Sequence, residues 1–280
     1  MAINASAYSP KEFQFLIGGQ DVYGTQVLTA LHSLDVDSVG FPNFGTQQVM
    51  DVRTGGRTLK ATDFFQTQNA SVIELSVSGT AKAAQMEMLL GNITNDPTSE
   101  HIVTAGYSPL SLGLGSTGLD ATNHRIFTIV ITSPAGNSDM VFKDCVVTSL
   151  TLSGDATAEG GRVKFSATFK TGSKPHNLSL TSETVDTAFS TDDLFMSTWG
   201  DPDKRIIAGI NNVLLNTFSL AIENDAYFHG IDTNGNFEML GRAPEFSVTC
   251  DFNLKYDDVT EPMIAASQTQ TGDAGRTKCA

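Results

Sequence analysis

The sequence predicts a mainly β protein, an antiparallel β-sandwich or barrel with one or two short α-helices. Three stretches carry that prediction. Over residues 142–172, Val146, Leu150 and Leu152 alternate with Val147, Ser149, Thr151 and Ser153. After a turn-rich break at 154–161, Val163, Phe165, Ala167 and Phe169 alternate strictly with Lys164, Ser166, Thr168 and Lys170. Near the C-terminus, Phe246, Val248, Cys250, Phe252 and Leu254 alternate with Ser247, Thr249, Asp251, Asn253 and Lys255. Side chains of a strand point to opposite faces with period two, so each stretch has one apolar and one wet face. Strands of this kind belong to an antiparallel sheet that packs on one side only. Phe165, Phe169, Phe246, Val248 and Phe252 are accordingly the expected core.

The elements follow in chain order. Residues 1–40 read as an N-terminal arm, in which Gly18-Gly19 and Gly24 mark bends. Residues 27–34 fit a short helix or a strand equally well. A hairpin is expected over 44–65, turning at Gly55-Gly56, because a Gly pair supplies the positive φ of tight hairpin turns. Its tip carries Arg53, Arg57 and Lys60 in an otherwise acidic chain. Residues 72–78 alternate as a strand, and a helix is expected over 80–91, with Thr80 as N-cap and Gly91 as the stop. Residues 92–123 are rich in Gly, Ser, Thr and Pro and read as a long loop. The Gly113-Leu114-Gly115-Ser116-Thr117-Gly118 run inside it matches a dinucleotide pattern. It lacks the preceding strand and following helix that would hold a pyrophosphate, so the loop reading stands.

A strand at 125–131 and the 142–172 hairpin complete a first β unit, 41–172. Residues 173–204 read as a linker with Lys174-Pro175 and Gly200-Asp201-Pro202-Asp203 as breakers. A second β unit, 205–268, contains a strand around Phe218, Leu220 and Ile222, a turn at Asn234-Gly235, the long strand from 246, and a short helix at 258–266; residues 269–280 form a tail. Asp232-Thr233-Asn234-Gly235-Asn236 has its glycine too early for a calcium loop. Strand followed by helix occurs at 72–90 and again at 246–266, which reads as a diverged internal duplication.

Composition narrows function by exclusion. The 280-residue chain is 40% hydrophobic with no apolar run long enough to span a membrane, and no export signal is expected at its start. Three cysteines at 145, 250 and 279 are odd in number and far apart, and read as reduced thiols. The formal charge is −14, from 17 Lys+Arg against 31 Asp+Glu. Nucleic-acid affinity comes largely from cations displacing counterions, so such a surface does not grip a phosphate backbone. It suits either plain solubility or a protein that sits beside DNA without holding it.

No catalytic constellation is legible. His32, His101, His124, His176 and His229 are scattered through polar or loop contexts, without His-x-x-x-His or Cys-x-x-Cys spacing. There is no Gly-x-Ser-x-Gly elbow and no P-loop. We therefore expect no catalytic residue, no metal and no cofactor.

Taken together, the Gln20-Asp21-Val22-Tyr23-Gly24-Thr25 turn, the strand–helix unit 71–91, the 146–172 hairpin and the closing 216–266 segment resemble the tail tube proteins of long-tailed bacteriophages, the type with a duplicated β-sandwich. The resemblance covers most of the chain through the order and texture of its elements, and leaves out 92–123 and the tail after Gln268. It implies a non-enzymatic virion protein of the phage tail, assembled in the host bacterial cytoplasm. Its partners would be further copies of itself in a hexameric or trimeric pseudo-hexameric ring, rings stacked into a tube, and other tail proteins. DNA would pass transiently without adhering. On that basis Arg53, Gly55, Gly56, Arg57 and Lys60 are candidates for contact between rings. Glu223, Ser247, Thr249, Asp251 and Asn253 are candidates for the lumen wall. Two readings from other classes stand beside it: a carbohydrate- or receptor-binding β-sandwich at a virion tip, which would need an exposed aromatic platform, and a hydrolase on a β scaffold, which would need convergent His and carboxylate side chains.

Overall fold

The computed structural model describes residues 13–20, 22–28, 31–40, 47–50, 64–67, 72–94, 126–132, 139–178, 185–186, 193–196, 214–255, 258 and 260–261. The strands are β1 Phe15–Gln20, β2 Leu31–Leu34, β3 Ser38–Gly40, β4 Gln47–Met50, β5 Phe64–Thr67, β6 Ile73–Thr80, β7 Ile126–Ile131, β8 Asp139–Asp155, β9 Val163–Thr171, β10 His176–Leu178, β11 Val185–Asp186, β12 Leu215–His229 and β13 Met239–Leu254. One helix, α1 Ala83–Ile93, lies between β6 and β7. β4 and β5 pair with each other; the other eleven strands form a single curled sheet, antiparallel except for the short β11–β2 pair.

The 17-residue β8 is the spine. Its first part pairs with β7 on one side and β10 on the other, and its second part pairs with β9 and β12. The change of neighbours coincides with a corner. Asp144 adopts φ 58°, and the register against β7 shifts between Phe127 and Ile129. A bulge sharpens local twist and bends a strand, so the sheet folds back over itself. The two halves then meet face to face: the Phe15 ring of β1 lies 5.9 Å from Phe169 of β9, and Phe127 lies 6.4 Å from the same ring.

Asp144 is one of the few residue types that tolerate the left-handed region, and its side chain is fully used. Its carboxylate accepts from Gln20 Nε2 (2.5 Å), the Gly24 amide (2.6 Å) and Ser173 Oγ (2.5 Å). Gln20 Oε1 in turn accepts from the Asp144 amide and from Thr128 Oγ1. The Gln20–Gly24 turn is thereby tied to the corner of β8. Tyr23 caps this region, donating to Phe237 O at 2.8 Å, and burial, followed by the charges of Asp144 and Asp232, pushes its phenol well up.

Several elements differ from the sequence reading, each for a local reason. Gly18 and Gly19 do not bend the chain; they continue β1 opposite Thr128 and Phe127, and the bend comes at Gly24 with φ +83°. Residues 31–34 are strand, held between β1 and β11. The helix begins later and ends later than 80–91. Thr80 is in the β6–β9 ladder opposite Lys164, and the Ala81 amide donates to Val163 O. The N-cap is Lys82, without a side-chain cap. Gly91 does not stop the helix, because Asn92 and Ile93 are held by polar contacts to β8 and β12. The helix closes at Thr94, whose amide and hydroxyl both return to Leu90 O.

Within 173–204 lie β10, β11 and a segment in which Asp193 and Phe195 bridge to Lys82 and Arg162. The turn between β12 and β13 is an Asx loop. Asp232 Oδ1 accepts the Asn234 and Asn236 amides, Gly235 has φ +76°, and Lys174 Nζ donates to Asn234 O. The carboxylate is spent on two backbone amides and the Asn236 side-chain amide, and an ammonium approaches the loop, which is turn chemistry rather than calcium chemistry. The Gly113–Gly118 run, the loop tip 53–60 and most of the 258–266 helix lie outside the described residues.

Candidate functional site

Strand pairing sorts the side chains of β6, β9, β8, β12 and β13 into two faces. Directly opposed residues point the same way, so rows can be read across the strands. One row runs Ser78, Ser166, Thr151, Ala221, Thr249; another runs Ser76, Thr168, Ser149, Glu223, Ser247; a third runs Thr80, Lys164, Ser153, Ser219, Asp251. Asp155, Thr217 and Asn253 form a shorter fourth row. This face is almost entirely hydroxyl, amide and carboxylate. The lumen-wall candidates Glu223, Ser247, Thr249, Asp251 and Asn253 all fall on it, in adjacent positions of β12 and β13.

Lys164 and Lys170 of β9 interrupt the face, and both are matched. Lys170 Nζ lies 2.7 Å from Asp225 Oδ1. Lys164 Nζ lies 3.0 Å from Glu159 and 3.4 Å from Asp37. Burial alone would push the Asp225 carboxyl up; the Lys170 hydrogen bond and the Ala226 amide outweigh it, and the net shift is down. The Glu159 hydrogen bond, ahead of Asp37, raises Lys164. Such pairs stabilise little at a surface. What they change is the charge presented: each ammonium already has a carboxylate beside it.

The opposite face is apolar along the same strands. Val77, Ala167, Leu150, Ile222 and Val248 form one row, with relative exposures of 2%, 1%, 0%, 3% and 53%. The parallel rows end in Cys250 and in Phe252, the latter 45% exposed. Phe165 and Phe169 are buried, and Phe246 is half-buried against the core. Val248 and Phe252 are not core of this chain, contrary to expectation. The alternation on β13 has the core pattern, but the helix and the folded-back half of the sheet cover β6, β9, β8 and the Ile222 level of β12. Among the described residues nothing covers the β13 positions beyond.

The inter-ring candidates Arg53, Gly55, Gly56, Arg57 and Lys60 lie outside the described residues; the flanking strands pair from Met50–Phe64 to Gln47–Thr67. Among the described residues no group of three or more His, Cys, Asp or Glu could hold a metal ion. Cys145 is buried and its thiol is pushed up, by burial first and then by Asp144, so it is an inert core residue.

Sequence reasoning missed the polar junction where β12 leaves β8. Buried Arg242, Asn92 and Asn224 meet there. The only sign of it in the sequence was a basic residue, Arg242, just before an alternating apolar strand.

No family model matches the chain, and no curated protein matches it. Solved structures do. A chain of the sheath–tube complex of an extracellular contractile injection system (PVC) in its extended state is 12% identical with a TM-score of 0.34, covering 64% of this chain and 95% of its own. A chain of the sheath/tube terminator of the same kind of system is 13% identical with a TM-score of 0.34, covering 62% and 99%. A chain of the cap that terminates the tube of the anti-feeding prophage (AFP) is 16% identical with a TM-score of 0.29, covering 61% and 94%. These neighbours are structural parts of contractile injection systems. At such scores the likeness carries no argument, and the functional reading rests on the faces described above.

Proposed function

We propose that this chain is the structural subunit of a phage tail tube: copies close into rings, rings stack into a hollow tube, and DNA passes along the bore without adhering. The observation that carries the reading is the polar face shared by β6, β9, β8, β12 and β13, on which the two lysines are matched by carboxylates. A wall of neutral and acidic groups offers no counterion-release gain to a passing polyanion. The second support is the uncovered apolar row on the other side of β13, which a monomer would leave in water. Heterologous contacts that close by rotation make rings, and the same kind of contact along an axis makes a stack. Contact between rings is assigned to the basic tip of Arg53, Gly55, Gly56, Arg57 and Lys60, which has many carboxylate partners on a chain of charge −14.

Negative-stain imaging of the purified chain tests the reading. Rings or tubes are expected, and a protein that stays monomeric at every concentration overturns it. The wall assignment is tested separately by Asp251→Lys with Asn253→Lys. Tubes still form, DNA delivery slows, and added salt partly relieves the defect; unchanged delivery removes these residues from the wall.

A further inference from the structure

We propose that Arg242 is the positioning residue that fixes, at its root, the direction in which the β12–β13 ribbon leaves β8, while the far end of the ribbon is tied down through Tyr23, Gly172 and Lys174. β12 follows β8 only from Thr217 to Glu223; from Asn224 onward its partner is β13 alone. At that level both ladders are irregular, with register shifts between Val147 and Ser149 on β8 and between Asn224 and Ala226 on β12. Irregular ladders leave carbonyls without a strand partner, and the C-terminus of a helix leaves more. α1 ends at this same point.

Arg242 of β13, only 5% exposed and opposite Ala226 of β12, gathers these groups. Its Nη1 donates to Val147 O at 2.6 Å and to Asn224 O at 2.9 Å. Its Nη2 donates to Asn92 O at 2.8 Å and Asn92 Oδ1 at 3.1 Å. Two further bonds close the junction: the Val147 amide donates to Asn92 Oδ1, and Asn224 Nδ2 donates to Ile93 O. One planar fork thus holds β8, β12, β13 and the end of α1 in fixed relation. Burial pushes the guanidinium down to about 10, still far above neutral, so it stays charged. A cation beside the carbonyl end of a helix is favourably placed. Lysine, a compact point charge whose three donors radiate from one nitrogen, does not reproduce the planar fork.

The consequence rests on the ring reading above. The lumen-wall candidates and the uncovered Val248 and Phe252 lie on the part of β12–β13 still held beside β8, next to this junction. The angle at which the 224–229 and 239–246 arm leaves that part therefore sets whether neighbouring copies meet at the closing rotation.

The test uses the 280-residue chain carrying Arg242→Lys, with hydrogen exchange and negative-stain imaging side by side. Expected is at least a tenfold loss of amide protection in 224–229 and 239–242, no comparable loss in 73–80 and 163–171, and at least a tenfold loss of assembled particles from a folded, soluble chain. Equal loss of protection in both regions makes Arg242 an ordinary core residue and overturns the proposal, as does normal ring formation by the variant. If Arg242→Lys does not fold, Asn92→Ala, which removes one acceptor and keeps the guanidinium, decides by the same localisation of exchange. If the wild-type chain itself never forms rings, the ring reading falls, while the exchange pattern still tests the positioning role.

Discussion

β9 and β13 carry nearly the same alternation and end in opposite surroundings. On β9, Phe165, Ala167 and Phe169 are buried; on β13, Val248 and Phe252 stand in the open at the ends of rows that begin in the core. Period-two patterning states which residues share a face. It does not state how far a covering layer reaches. Among the described residues the layer is α1 and the folded-back half of the sheet, and it stops at about the Ile222 level. A sheet that outruns its cover leaves apolar area for a further copy to bury, which is the physical content of the assembly proposal.

The comparison is most directly broken at the two phenylalanines. Phe169→Ala removes a ring packed against Phe15 and Phe127 and is expected to cost about 3–5 kcal/mol in urea unfolding of the unassembled chain. Phe252→Ala is expected to cost less than about 1 kcal/mol under the same conditions, since half-exposed surface positions contribute little. Equal costs would show that β13 is covered after all.

Next in size is the far end of the ribbon. A Cβ on Gly172 would meet Phe228 at 2.6 Å and Phe237 at 2.7 Å, where the ribbon packs on the end of β9. Gly172→Val is expected to cost about 1–3 kcal/mol by overpacking, with the loss of exchange protection confined to 228–237. A loss spread over β6 and β9 would mean that the ribbon and the body are one cooperative unit.

Val248→Asp sharpens the same contrast from the assembly side. The melting temperature of the dilute chain should move by no more than a few degrees, while sedimentation shows assembly lost. Intact assembly would mean the exposed row is not a contact.

The smallest effect concerns Lys170 and Asp225. The Asp225 carboxyl is held below its ordinary value in the folded state, so its contribution is present above the unfolded value near 4 and disappears as pH falls through the folded value. With Asp225 largely exposed, the pair is expected to contribute no more than about 1 kcal/mol. Melting of Asp225→Asn against wild type from pH 7 down to 3 should show a gap that closes on the acid side and shrinks with salt. A gap that widens on acidification would mean that Lys170 does not hold the carboxylate ionised.

The sequence by itself determined the mainly β class, the 163–171 strand with its two faces, the strand at 73–80 and the helix that follows it, because period two, period 3.6 and turn residues act through neighbours a few positions away. Even the grouping of Glu223 with Ser247, Thr249, Asp251 and Asn253 was legible, since alternation survives whatever the strand pairs with. Only the tertiary structure decided that Thr80 belongs to a ladder rather than a cap, that Lys164 and Lys170 are matched by Glu159, Asp37 and Asp225, and that Val248 and Phe252 face outward. The Arg242 junction belongs to the same group: its acceptors lie 95, 18 and 150 residues away along the chain. Contacts of that separation leave no periodic trace, because what fixes them is where bulges and a helix end expose carbonyls, and that is settled only once the sheet has curled.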